Sequence, residues 1–113
     1  MNKRGPLVLR HRIAIEAATE TADSGGGFAD PWAAPRVVAR AWASIEPLRG
    51  RERLQAQQLE ASVTHKIVLR YRADLRASHR VAFQGRVFNI RSVINVGERS
   101  RWLELLCEEG VAA

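Results

Sequence analysis

Apolar and polar residues alternate along most of this chain, and this pattern constrains its fold more than any other feature. Residues 9–16 carry leucine, histidine and two isoleucines at the odd positions, with two arginines, alanine and glutamate at the even positions. Successive side chains of a β-strand point to opposite faces of a sheet, so a period of two over eight residues predicts a half-buried strand.

Five further segments are predicted to be strands. Residues 37–46 form the second, and Pro47 ends it because proline cannot donate a ladder hydrogen bond. Residues 60–71 alternate again, and residues 81–83 and 86–95 flank a tight hairpin turn at Gln84 and Gly85. Residues 101–108 form the last strand. Six short strands at close spacing predict an antiparallel barrel or sandwich.

The inward faces of these strands predict the hydrophobic core. Its expected members are apolar residues at alternate strand positions: Ile13, Ile15, Val37, Ala41, Ile45, Val63, Ile67, Leu69, Val81, Phe83, Leu103 and Leu105.

Residues 19–35 interrupt the pattern with a long connection. Three consecutive glycines at 25–27, with serine, aspartates and two prolines, predict a flexible loop. Phe28 and Trp32 are unusual in a solvated loop. Two interpretations stay open for them: they pack back over the sheet, or they dock on a neighbouring subunit, since exposed large aromatic residues often mark contacts.

A second polar connection, residues 48–58, follows Pro47. Residues 51–59 can form a helix of about two turns, with Leu54 and Gln58 on one side. So short a helix is marginal in isolation and needs a packing partner.

Composition and length limit the class of protein. A chain of 113 residues, 46% of them apolar, is expected to form one domain over residues 1–113, with residues 1–6 flexible. The lone Cys107 excludes an internal disulfide and is predicted to be buried and inert. Residues 1–12 lack the apolar region of a signal peptide, and no stretch approaches the roughly 20 apolar residues of a membrane span. We therefore expect folding in the cytoplasm without a membrane anchor.

The net charge of +6 raises the question of nucleic-acid binding. The arginines, however, are spread along the chain, most of them near a glutamate or at alternate strand positions. That distribution is typical of a solvated or subunit-facing β-surface, and it favours such a surface over a dedicated DNA-reading one.

No catalytic or ligand-binding motif is found. His11, His65 and His79 form no close ligand pair, and no serine lies in a nucleophile elbow. The glycine run lacks the lysine and serine or threonine that end a phosphate-binding loop. Glu108 and Glu109 are expected to be solvent-exposed. The sequence therefore predicts neither an enzyme nor a bound cofactor or metal.

The order and spacing of several short patterns resemble a known family. They are an Arg-His-Arg strand at 10–12, WASIEPLRGRERLQAQQ at 42–58, VTHKIVLRYR at 63–72, FQGRVFNIRSVIN at 83–95 and WLELLCEEG at 102–110. From residue 7 to residue 110, the chain is similar to the head–tail adaptor proteins of long-tailed bacteriophages, also called head-closure or stopper proteins. The resemblance implies an all-β fold, a small antiparallel β-barrel with long connecting loops and room for one short helix.

The resemblance also implies a function. Such a protein forms a ring with itself, on the order of six or twelve subunits, below the portal and its adaptor in the virion of a phage, prophage or gene transfer particle. There it extends the channel for double-stranded DNA, helps to retain the packaged DNA and provides the docking surface for the tail terminator. The residues expected at an interface or the channel are Phe28, Trp32, Trp42, Arg49, Arg51, Arg53, Gln55, Gln57 and Gln58.

One alternative remains open on the residues alone. A small basic β-barrel can bind nucleic acid by itself if a basic groove is interleaved with stacking aromatic residues. Only 6% of this chain is aromatic, and Trp42 and Tyr71 are its candidates for stacking.

Overall fold

Six antiparallel strands close into a barrel in the computed structural model, which describes residues 8–19 and 31–110. The strands are β1 (His11–Ala17), β2 (Arg36–Pro47), β3 (His65–Arg70), β4 (Arg80–Phe83), β5 (Arg86–Asn95) and β6 (Trp102–Gly110). Around the barrel they follow the order β1-β2-β3-β6-β5-β4. One helix, α1 (Gly50–Leu59), links β2 to β3, and a single 3-10 turn (Val96–Glu98) precedes β6.

The predicted all-β barrel with one short helix is confirmed. Among the described residues, no helix has the length and apolar character needed to cross a membrane. The N-terminal segment expected to be flexible, residues 1–6, lies outside the described residues.

Apolar side chains from all six strands fill the barrel interior. The buried core comprises Ile13, Ile15, Ala43, Ile67, Leu69, Leu75, Val81, Phe88, Ile90, Leu103, Leu105 and Cys107. Full burial of each large apolar side chain contributes about 1.5–3 kcal/mol to folding. The predicted alternation is thus confirmed for most strands, and Cys107 is buried as expected.

A β-bulge in β2 changes the face that its first residues present. Ile15 pairs with Ala39 and Glu16 pairs with Val37, so Val38 is an extra residue in the ladder. An extra residue reverses the alternation. The prediction that Val37 belongs to the core is therefore wrong: its side chain is 41% exposed, while Val38 packs against the core.

A second bulge, in β5, supplies the barrel with an outer apolar patch. Ile90 pairs with Cys107 and Ser92 with Leu106, which leaves Arg91 unpaired in the ladder. Phe88 and Ile90 face the interior before the bulge. After it Val93 packs on the core, whereas Ile94 packs in a separate cluster outside the barrel.

Three other core predictions are confirmed only in part. Ala41, Ile45 and Phe83 are partly buried and pack against the core without belonging to its fully buried set. Val63 is buried, but it lies in the outer cluster, because the strand predicted over residues 60–71 begins only at His65.

The link before β4 is more ordered than its polar sequence predicts. Leu75 joins the core and His79 is 8% exposed. The backbone N–H of Arg76 donates to Nδ1 of His79 at 3.2 Å, which requires an unprotonated Nδ1. The hairpin after β4 is as predicted: Phe83 pairs with Arg86 across Gln84 and Gly85, both with positive φ.

The environment of His79 predicts a pH-dependent stability. Burial, with smaller contributions from Arg76 and Arg36, lowers the pKa of His79 below its ordinary value of 6.5, and Asp74 opposes them. The unfolded chain therefore takes up a proton first as the pH falls, so the free energy of unfolding decreases below about pH 6.5 until the folded pKa is reached.

The measurement is thermal unfolding between about pH 8 and pH 5. His79→Asn keeps an acceptor near the position of Nδ1 but cannot be protonated, so its melting temperature should fall less steeply with pH than that of the parent. His65, whose pKa burial also lowers, leaves a residual slope. Identical slopes in parent and variant would rule out His79 as the titrating group.

Candidate functional site

Helix α1 is held on the outside of the barrel by a small apolar cluster. Ala56, its one buried residue, packs with Leu48, Val63 and Leu106, and Ile94 flanks them. The prediction that this helix needs a packing partner is confirmed, but the contact is made through Ala56 and not through Leu54, which points to solvent.

A buried lysine fixes the orientation of α1. Lys66 lies on the outer face of β3 and is 6% exposed, and its Nζ donates to Oε2 of Glu52 at 2.6 Å. A buried ammonium group without a partner costs several kcal/mol, so Glu52 has to stay close. Gln57 adds a hydrogen bond from its Nε2 to the carbonyl of Val63 at 3.4 Å.

The exposed surface of α1 carries both polar and apolar side chains. Arg49, Arg51, Arg53, Gln55 and Gln58, all predicted interface residues, are exposed there. Leu54 and Leu59 lie on the same helix and are 65% and 68% exposed. Gln57 is half-buried. The predicted residues of this connection are thus brought onto one short helix, apart from Arg49 immediately before it. Beside them lie two exposed leucines, of which the sequence had indicated only Leu54.

Trp42 lies outside the cluster that supports α1, on the outer face where β1, β2, β3 and β6 run side by side. Its indole is 52% exposed, and the guanidinium of Arg12 lies 5.5 Å from the ring centroid. Arg70 on β3 and Trp102 on β6 form a similar pair, in which the guanidinium group lies 5.0 Å from the ring centroid. Tyr71, also exposed, lines the same depression as Trp42.

Trp32 is half-buried beside β4, where the guanidinium of Arg80 lies 4.3 Å from its ring centroid. Arg80 also donates to Glu16 at 2.8 Å, so the indole covers an ion pair of the barrel. Thr19 connects the two ends of the loop: its N–H donates to the carbonyl of Pro31 and its hydroxyl to that of Ala34. Phe28 lies outside the described residues.

Comparison with known proteins identifies the family. The model of the phage head completion protein family matches residues 6–110. The chain belongs to this family.

Individual relatives agree in length and fold. The head completion protein gp7 of Enterobacteria phage HK97 is 28% identical over 110 residues, covering 93% of this chain and 96% of that protein. The solution structure of protein SF1141 from Shigella flexneri 2a is 28% identical, with a TM-score of 0.69 over 93% of this chain and 96% of that one. A chain in the virion of a native gene transfer agent particle is 21% identical and shares the fold, with a TM-score of 0.57 over 94% of this chain and 99% of that one.

Family membership confirms the expected resemblance and the assignment to phage virions. Head completion proteins are structural components, not a known enzyme family, and they assemble with other virion proteins. The described residues hold no group of three or more histidine, cysteine or acidic side chains placed to share a metal ion.

Polar side chains at the C-terminal end of β6 form ion pairs and hydrogen bonds within the barrel. Arg86 donates through two nitrogens to the carboxylate of Glu109, and Arg91 pairs with Glu108. Both glutamates were predicted to be exposed. This is confirmed for Glu109, whereas Glu108 is half-buried. The N–H of Glu109 donates to the Thr64 hydroxyl, which lies 2.9 Å from Nδ1 of His65.

Cys107 is chemically inert in this setting. Burial raises the pKa of its thiol to about 12, so the thiolate is absent at neutral pH.

The ion pair between Glu52 of α1 and Lys66 of β3 can be tested by substitution. Glu52→Ala leaves the ammonium group of Lys66 without a partner. We expect the free energy of unfolding to fall by about 1–2 kcal/mol, less than for a fully buried pair because Glu52 is half-exposed. Urea unfolding measures the loss, and hydrogen exchange should show faster exchange of the amides of α1.

The double variant Glu52→Ala/Lys66→Met shows whether the loss of stability comes from the unpaired ammonium group of Lys66. Methionine fills the site without a charge, so stability should return close to that of the parent. A double variant less stable than Glu52→Ala alone would show that the lysine contributes through something other than this pair. Glu98→Ala, an exposed change in the turn before β6 and away from Lys66, is the control.

Proposed function

We propose that this protein is a ring-forming subunit of the head–tail junction. In this proposal, copies of the chain close a ring below the portal and its adaptor, continue the DNA channel, help to retain packaged DNA and present a surface to the tail terminator. Membership of the head completion family supports the location, and it is the outer surface of the barrel that supports the role.

The observation that carries this proposal is the exposed face of α1. A helix of ten residues is marginal alone, yet this one is fixed to the barrel by the buried Lys66 and a small apolar cluster. It nevertheless leaves Leu54 and Leu59 in solvent beside three arginines. Arginine is enriched among the residues that anchor protein interfaces, and the leucines beside it would gain burial on contact.

The same surface fits a position near DNA. Arg49, Arg51 and Arg53 form no ion pair among those found in the described residues, so their charge is available to phosphates or to carboxylates of a neighbouring subunit. The barrel interior cannot serve as the channel because side chains fill it. The proposed channel therefore runs through the centre of the ring, between subunits.

Replacing the three arginines tests the role of α1. Arg49→Ser/Arg51→Ser/Arg53→Ser should change the free energy of unfolding by no more than about 1 kcal/mol, because all three side chains are exposed. Particle assembly or DNA retention should nevertheless fail, as measured by the yield of infectious or transducing particles. The matched control removes the same charge at exposed positions elsewhere: Arg36→Ser/Arg76→Ser/Arg99→Ser.

Fully active particles carrying the triple α1 variant would contradict the proposal for this helix. Equal failure of the control would show that net charge, and not the position of the arginines, limits assembly.

Trp32 and Phe28 are proposed to anchor the residue 19–35 connection on a partner. Trp32→Ala removes the contact with Arg80 and any apolar burial in the assembly, which is worth about 1.5–3 kcal/mol for a large side chain. Ring or particle formation, measured by light scattering after size exclusion, should weaken more than the melting temperature of the monomer falls. Strong hydrogen-exchange protection of residues 21–34 in the isolated monomer would contradict the partner-anchor role.

A further inference from the structure

We propose that a second surface of this protein, the Arg–aromatic groove, binds an acidic peptide segment of a partner protein. The groove consists of Arg12, Arg40, Arg70, Trp42, Tyr71 and Trp102. It is distinct from α1 and from the Trp32 contact, and the inference does not depend on ring formation or on a role in DNA retention.

Two adjoining depressions make up the groove. The first, of about 470 Å³, is lined by residues of β1, β2 and the end of β3, among them Arg12, Arg40 and Trp42. The second, of about 490 Å³, reaches Trp102 on β6. They share Arg70 and Tyr71, so one extended segment can lie across both. The floor is a sheet surface, which holds these side chains on rigid elements.

Within the described part of the chain, the arginines of the groove form no ion pair, and two of them are oriented by an aromatic ring. Arg12 lies over Trp42 and Arg70 over Trp102. A guanidinium group stacked on an indole keeps its N–H donors free at its edge, where they can bind a carboxylate through two hydrogen bonds. None of the described residues lining either depression is acidic. Among the ion pairs found in residues 8–19 and 31–110, Arg72 at the margin is the one lining arginine with a carboxylate partner, Asp74, at 3.0 Å.

The expected charge of the bound segment follows from the ion pairs that the described residues form and from those they lack. Elsewhere on the barrel, arginines are paired within the chain: Arg80 with Glu16, Arg86 with Glu109 and Arg91 with Glu108. Glu52 is held by Lys66. The carboxylates of these pairs are engaged within the barrel, and the groove has no acidic lining residue among those that the structure describes, so its charge favours an acidic segment of a partner protein.

The residue types favour a peptide over a nucleic acid. Arginine, tryptophan and tyrosine are the residues most enriched at protein-interface hot spots, where an apolar body is buried and a polar edge forms hydrogen bonds. The half-exposed indole of Trp42 would gain burial against apolar side chains of a peptide but not against a phosphate backbone. Stacking of bases needs free aromatic faces, whereas both indoles already carry a guanidinium group on one face.

Fluorescence anisotropy with a defined probe tests the proposal. The probe is a short fluorescein-labelled peptide of glutamates around one central phenylalanine; the same peptide with glutamine for glutamate, a DNA duplex and a DNA single strand are its comparisons. We expect binding of the glutamate peptide that weakens as salt screens the charges, and much weaker binding of the glutamine peptide.

Two variants locate the binding surface. Arg40→Ser/Arg70→Ser and Trp42→Ala should each weaken peptide binding about tenfold or more, as loss of an interface anchor does. The matched control, Arg36→Ser/Arg76→Ser, removes the same charge from exposed positions outside the groove and should change the affinity less than about threefold. Thermal unfolding verifies that each variant is folded; a destabilised variant is replaced by Arg40→Ser alone, at an exposed position.

Nuclear magnetic resonance supplies a readout that does not depend on any variant. The chain has three tryptophans. On addition of the glutamate peptide, the indole N–H signals of Trp42 and Trp102 should shift, while that of Trp32, outside the groove, serves as the internal reference.

Several results would overturn the proposal. One is the absence of peptide binding at about millimolar protein. Others are an equal loss of peptide affinity in the groove variants and in the control, and a shift of the Trp32 indole signal alone. A further one is groove-dependent binding of either DNA that is tighter than binding of the peptide. The last would assign the groove to a nucleic acid. Because purified monomer is used, failure here leaves the proposed head–tail role untouched, and failure of particle assembly leaves the groove untouched.

Discussion

A closed barrel of six strands has room inside for one set of apolar side chains, and every other property of this protein depends on that limit. In the described residues, isoleucine, leucine, valine and phenylalanine pack together in the interior, as side chains do in small barrels. Contacts with other molecules must therefore be made by the outer surface, where successive strands present their second face. The bulges at Val38 and Arg91 decide which residues reach that face.

The bulge in β5 shows how one strand serves two purposes. Before Arg91 the strand sends Phe88 and Ile90 into the core, and beyond it Ile94 is turned outward, next to Leu106 of β6. These two outward residues form the seat on which Ala56 of α1 rests. A strand with unbroken alternation would leave Ile94 inside and the helix without its apolar support.

The sequence predicts the strands well because alternation is a local property. Each segment of eight or so residues shows which face is apolar without reference to the rest of the chain. The bulges could not be predicted in this way, since an extra residue is detected only when the partner strand is known, and Val37 was misassigned for that reason. Leu75 and His79 were missed similarly: a polar link gives no sign that one of its leucines and a histidine will be covered by the barrel.

The candidate surfaces were predictable to different degrees. The arginines and glutamines around α1 could be named because they cluster in the sequence at 49–58. The groove could not, since Arg12, Trp42 and Trp102 come from three separate strands, which are brought together by the pairings of β1 with β2, β2 with β3 and β3 with β6. Trp42 and Tyr71 were recognised singly, but the arginines that lie beside them are visible only in the fold.

The surface of α1 and the Arg–aromatic groove are supported by the same two strands. Lys66 and Arg70 both lie on the outer face of β3, and four residues of strand separate them by about 13 Å. Lys66 supports α1, whereas Arg70 belongs to the groove. On β6 the paired residues are Leu106 under the helix and Trp102 in the groove. Both surfaces thus rest on the same two rigid strands and hold a fixed distance and angle to each other. Two partners bound at α1 and at the groove would therefore be held at a constant angle to each other.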